Sequence, residues 1–267
     1  MNHNHRKLIT LLLGAGLLGL SGIASAGIVA TKHNLGSGST AGNNMVSDTA
    51  DTCVFCHTPH KAASATVPLW NKGLTSSAGY TAYSSTTMDG TTNFTGSTSM
   101  ACLSCHDGTQ AMDNIVNAPG SGGYTAGGLD QPYTWSGATV DTNGKLVLGA
   151  LTNIGDGTGA LGDDHPVAIP YGGGGVTVAT PTGATTDPDF VQVGSGLTQA
   201  VVGGLQKWWF DTDADSKMDS AEIRLYTANA QAQVECASCH DPHSSTNPTF
   251  LRIANTNSAV CTACHVK

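Results

Sequence analysis

Charge is scarce in this chain. Asp, Glu, Lys and Arg make up 11% of its 267 residues, against roughly 25% in ordinary soluble domains. Cations are scarcest, with 11 Lys and Arg against 19 Asp and Glu and a net charge of −8. That balance argues against a nucleic-acid partner, which needs a basic face. Aromatic residues are also few, at 6%. Past residue 26 no apolar stretch is long enough to span a bilayer. Long periodic runs are missing too, so little regular secondary structure is expected. What is plentiful is glycine, at 34 residues. The surface is therefore neutral and built of small residues, suited to a rugged extracellular coat or to burial between subunits.

Residues 1–26 read as an export signal. Arg6 and Lys7 supply the positive start, Leu8 to Leu20 is apolar, and Ala24-Ser25-Ala26 is a small-residue cleavage site. No cysteine lies near that site, which excludes a lipid anchor there. Removing Arg6 and Lys7 leaves 9 basic against 19 acidic residues.

No cysteine stands outside one pattern. The eight occur as Cys53-Val-Phe-Cys56-His57, Cys102-Leu-Ser-Cys105-His106, Cys236-Ala-Ser-Cys239-His240 and Cys261-Thr-Ala-Cys264-His265. Paired cysteines could also form zinc sites, disulfides or thioredoxin-like redox pairs. None of those needs a histidine after the second cysteine, and histidine is only 10 of 267 residues. Cys-x-x-Cys-His is the attachment signature of c-type haem. Two thiols bond to the vinyl groups and the next imidazole reaches the iron. Four covalent haems are expected, with His57, His106, His240 and His265 as proximal ligands. Covalent attachment of this kind takes place outside the cytoplasm, in keeping with export.

His3 and His5 fall in the signal, which leaves His33, His60, His165 and His243. Four irons need four distal ligands, so supply equals demand and bis-histidine, low-spin irons without an open position are expected. Met45, Met88, Met100 and Met112 are the rival ligands, although methionine more often fills a core. His57-Thr-Pro-His60 and His240-Asp-Pro-His243 share a stiff His-x-Pro-His segment. Its three residues reach at most roughly 10 Å, too little to wrap round one ring. His60 and His243 are expected to serve a neighbouring haem instead.

Along the chain, residues 27–118 form an N-terminal dihaem module and 236–267 a C-terminal one. Between them, 119–200 is a Gly/Thr-rich insertion carrying His165. Gly144-Lys-Leu-Val-Leu and Gly175-Val-Thr-Val-Ala within it read as short strands. The expected fold is mostly irregular, loop-rich and haem-packed, with short helices, a few short strands and two dihaem modules flanking the insertion.

A second metal signal occupies 201–235. Asp211, Asp213, Asp215, Lys217 through its carbonyl, Asp219 and Glu222 fall at the ligand positions of an EF-hand calcium loop. Ser216 replaces the usual glycine and Met218 a branched aliphatic residue. Helices are expected on both sides, ending at Leu205 to Phe210 and running from Ser220 to Gln233. The calcium would be structural.

The mature chain resembles the multihaem c-type cytochromes of metal-respiring bacteria. It is most similar to extracellular tetrahaem cytochromes that polymerise into conductive filaments. The residues that carry the likeness are His33-Asn-Leu, Cys53-Val-Phe-Cys-His-Thr-Pro-His60, Ala101-Cys-Leu-Ser-Cys-His-Asp-Gly, Asp164-His-Pro, Glu235-Cys-Ala-Ser-Cys-His-Asp-Pro-His243 and Phe250-Leu-Arg. The resemblance implies stacked bis-histidine haems and one distal histidine lent across a head-to-tail interface, with His33 the candidate. An intramolecular His33 is the alternative.

The function expected is long-range electron transfer by a filament protomer outside the cell. Its partners would be further copies of itself, other multihaem cytochromes or extracellular metal oxides. A monomeric periplasmic shuttle is the alternative. A reductase of small nitrogen or sulfur oxyanions is disfavoured, because the spare histidines close the irons and no Cys-x-x-Cys-Lys variant is present.

Overall fold

The computed structural model describes residues 27–40, 42, 44–63, 67–120 and 122–266. The expected export signal, with His3, His5, Arg6 and Lys7, lies outside the described residues. Regular elements are short. Helices are α1 Ser99–His106, α2 Cys236–Cys239 and α3 Ala259–Thr262. Strands in the first half are β1 Asn44–Val46, β2 Thr81–Ala82, β3 Asn114–Asn117, β4 Tyr124–Asp130 and β5 Trp135–Gly137. In the second half come β6 Ala160–Leu161, β7 Ile169–Pro170, β8 Leu197–Val202, β9 Leu205–Phe210, β10 Arg224–Ala228 and β11 Gln231–Val234. Among the described residues, no helix is long and apolar enough to cross a membrane.

The largest sheet has five strands in the order β7-β11-β10-β9-β8, each pair antiparallel. Its hairpins follow from backbone chemistry. Gly203 and Gly204 join β8 to β9 with φ of 59° and 79°, the two positive values a two-residue primed turn requires. Asn229 and Ala230 do the same between β10 and β11 at 51° and 58°. Trp208 and Phe210 alternate onto one face and join Tyr171, Leu197, Ile223 and Leu225 in the main apolar core. Val260, Ala263 and Cys264 pack against that core, so the sheet is the floor of the fourth Cys-x-x-Cys-His run. β11 ends one residue before Glu235 and delivers the chain into the third.

Two smaller clusters serve the other runs. Leu35, Val46, Phe55, Met112 and Leu146 enclose the first, beside the β1–β5 pair. Phe94, Met100, Leu103, Leu161 and Ala168 support α1, which carries the second.

Three expectations are corrected. Leu205 to Phe210 is strand β9 and not the end of a helix. Ser220 to Gln233 holds β10 and β11 and not a leaving helix, so the acidic loop closes a β-hairpin. The segments at 144–148 and 175–179 form only the isolated bridges Val140 to Leu146 and Thr177 to Gln231. The glycine pair supplies the reason for β9, because positive φ at both turn residues lets the sheet fold back where a helix cannot start.

Candidate functional site

Each Cys-x-x-Cys-His run winds into one helical turn. The histidine N–H donates to the carbonyl of the first cysteine at 2.8 Å for His57, 3.1 Å for His240 and 2.9 Å for His265. The second run lies inside α1. Residues three and four apart on a turn are neighbours, so the second cysteine and the histidine both lie beside the first cysteine. A planar macrocycle can be gripped at its edge by two sulfurs and at its metal by one nitrogen.

Five imidazoles are held in one tautomer. Nδ1 pairs with a backbone carbonyl in His57 (Pro68, 3.0 Å), His106 (Thr152, 2.7 Å) and His240 (Thr249, 2.7 Å). His33 uses the Pro242 carbonyl at 3.3 Å and His165 that of Pro166 at 3.0 Å. A ring that donates from Nδ1 offers Nε2 to a metal, the usual arrangement for a ligating histidine. Burial, with His106 close by, lowers the His33 pKa to about 4. Burial lowers His106 as well. Both rings are thus held neutral, the form that binds metal.

Successive runs lie near one another. Cys56 and Cys105 pack on the same apolar cluster. The helix carrying Cys102 meets the third run, where the Cys236 N–H donates to Ser99 Oγ at 2.9 Å. Cys239 neighbours Cys261 and Cys264. The attachment points therefore follow one another in chain order, first to second to third to fourth. Burial pushes the thiols of Cys56 and Cys264 up to about 12.

The rival cysteine chemistries find no matching geometry. All eight thiols are free. Among the described residues, the group of three or more ligand atoms within 4.8 Å is Asp211, Asp213 and Asp215, with no cysteine in it. The thiols do not converge as a tetrahedral zinc site requires.

Two buried charges position the runs and escaped the sequence reading. Glu235 is 1% exposed and accepts from Ser97 Oγ, Ser99 Oγ and the Ser99 N–H. It thereby fastens the start of α1 to the third run. Its one sequence signal is the capping pair with Ser238, whose Oγ accepts from the Glu235 N–H at 2.9 Å. Lys72 is fully buried and its Nζ donates to the carbonyls of Ala111, Met112 and Asn114 at 2.8, 3.2 and 3.3 Å. Beside it, the Asn71 N–H donates to the Cys56 carbonyl at 2.8 Å, so this strap ties the first run to β3.

Of the remaining candidates, Met100 and Met112 sit in the apolar clusters, Met88 packs against the sheet core and Met45 lies in β1. His60 and His165 are exposed, and the His60 carbonyl accepts from Asn117 Nδ2 at 2.8 Å. In the acidic loop, Glu222 folds back to accept from the N–H groups of Thr212 and Asp219 at 3.0 and 2.8 Å. Asp211, Asp213 and Asp215 come together, while Lys217 pairs with Asp215 at 2.7 Å. Asp211 Oδ1 is buried without a hydrogen-bond partner.

Residues 228–267 match the family described as the doubled CXXCH motif. No curated protein matches the chain. The family match supports a multihaem c-type cytochrome active in electron transfer, and the motifs imply covalently bound haem c.

Proposed function

We propose that this is an exported tetrahaem cytochrome which moves electrons along four haems in the order of their motifs, as the protomer of an extracellular filament. The closeness of successive runs carries the reading, above all the second against the third, where the Cys236 N–H donates to Ser99 Oγ in the helix that carries Cys102. Runs this close would hold their haems near one another, and electron hopping needs closely spaced centres. Bound haem supplies a one-electron iron couple. The chain fixes each centre by two thiols, an anchored imidazole and the Glu235 and Lys72 fastenings. The end runs, first and fourth, are the points where electrons would enter and leave, which suits head-to-tail growth into an open polymer. Apolar side chains left outside support burial between copies, among them Val201, Val202 and Leu205 at the β8–β9 turn. Acceptors would be other multihaem cytochromes or metal oxides. The acidic loop is proposed to hold a structural calcium ion through Asp211, Asp213, Asp215, Asp219, Glu222 and the Lys217 carbonyl. This loop braces the hairpin that leads to the third run.

Cryo-electron microscopy of the material shed by producing cells tests the reading. Ordered filaments with an unbroken haem chain are expected. Uniform monomers would replace the filament by a soluble shuttle.

A further inference from the structure

Two pairs of imidazoles stand at one separation. His57 and His243 are 6.1 Å apart between ring centres, with planes 23° apart. His33 and His106 are also 6.1 Å apart, with planes at 74°. Each pair joins a histidine that ends a Cys-x-x-Cys-His run to one that does not. Two imidazoles bound to one metal ion stand about 6 Å apart, with about 2 Å for each metal–nitrogen bond and about 1 Å from nitrogen to ring centre. Near-parallel rings in direct contact stand closer, as His33 and Phe250 do at 4.4 Å and 17°.

The outer nitrogens agree with that spacing. His57, His106 and His33 each place Nδ1 on a carbonyl. His243 has Nδ1 3.5 Å from the Asp241 carboxylate. His57, His106 and His33 thus keep Nε2 for a metal, and Asp241 lies on the Nδ1 side of His243.

We propose, on the haem reading above, that His243 is the distal ligand of the iron held by His57, and His33 that of the iron held by His106. The short segment from His240 to His243 then touches three centres. It supplies the third proximal ligand, its Pro242 carbonyl orients the distal ligand of the second, and its last residue closes the first. His33 accordingly serves its own chain and is not lent to a neighbour. His60 and His165 remain for the third and fourth irons.

The plane angles make the two pairs distinguishable. Near-parallel imidazoles give low-spin ferric haem a rhombic electron paramagnetic resonance spectrum. Near-perpendicular ones give a strongly anisotropic signal with a single large g value. The experiment compares oxidised holoprotein, His243→Met and His33→Met, after mass spectrometry has counted covalent haems. His243→Met is expected to lose one rhombic component, and His33→Met the share of the large-g signal due to one haem. Both should gain the near-infrared band of iron–thioether ligation. If His33→Met fails to mature, His33→Gly supplied with imidazole should carry the low-spin signal and turn one haem high-spin when imidazole is removed. The His33 effect must also persist in dilute monomeric protein. A chain without covalent haem overturns the haem reading and the pairing together. Four haems with spectra indifferent to these substitutions, or a His33 effect confined to assembled protein, overturn the pairing alone.

Discussion

The backbone N–H of Cys236 donates to Oγ of Ser99 at 2.9 Å. Residues 137 apart in sequence thereby bring the helix carrying Cys102 against the first residue of the third run. Glu235 completes the joint, since both serine hydroxyls donate to its carboxylate. Glu235→Ala leaves those donors buried and unpaired. The expected loss is about 3 kcal/mol, a fall of roughly 6–12 °C in melting temperature for a chain of this size. Calorimetry of the holoprotein checks it, and a shift under about 2 °C would remove the joint from the stabilising contacts.

Glu235 also gives the joint a pH dependence. Burial raises its pKa above the ordinary glutamate value of 4.5, and the serine donors offset only part of that. An acid with a raised folded-state pKa contributes stability that is full below 4.5 and is lost as pH rises through the folded value. Wild type should therefore gain on Glu235→Gln as pH falls from neutrality towards 4.5. Parallel melting profiles for the two proteins across that range would refute the assignment.

Lys72 yields a second stability prediction. Its ammonium is the donor for three carbonyls around Ala111 to Asn114. Lys72→Met fills the same channel but strands those acceptors. The expected cost is about 3 kcal/mol, read as a lower urea midpoint with an unchanged slope. An unchanged midpoint would mean that solvent takes over the carbonyls.

The parts of the molecule that were legible in the sequence are the local ones. One Cys-x-x-Cys-His run dictates its own turn, because its hydrogen bond spans four residues. The histidine supply could likewise be counted. Partners could not be, since His33 meets His106 and His57 meets His243 only once the chain has folded. Glu235 and Lys72 were invisible for the same reason: their partners lie far away, and a lone Glu or Lys carries no periodic signal. The acidic loop misled in another way. Its ligand spacing implied flanking helices, whereas Gly203-Gly204 and the β-favouring Trp208-Trp209-Phe210 run set a hairpin. The spacing of oxygen ligands and the element that presents them are separate properties.

Carbon monoxide separates electron transfer from small-molecule reduction. If every iron carries two imidazoles, the reduced holoprotein has no open position. Its Soret band is expected to stay unchanged under carbon monoxide at neutral pH. His243→Ala should then bind one carbon monoxide per chain. Stoichiometric binding by wild type would point to an open haem face and to the reductase alternative.

The acidic loop supplies the last prediction. Asp211 Oδ1 is buried without a partner and lies with Asp213 and Asp215, while Glu222 is only 2% exposed. Calcium would satisfy the orphaned oxygen and relieve repulsion among the aspartates. Binding confined to the folded state stabilises by about 2.7 kcal/mol when free calcium is about 100 times Kd. A chelator should therefore lower the melting temperature of wild type by several degrees, and added calcium should restore it. Asp213→Ala is the informative control. Asp213 is exposed and receives only the Asp215 N–H, at 3.2 Å, whereas Glu222 also holds the loop together without metal. The Asp213→Ala protein should melt near chelated wild type and ignore calcium. A wild-type melting temperature indifferent to chelator would leave the loop as a solvated acidic turn, braced by Glu222 and by the Lys217–Asp215 pair.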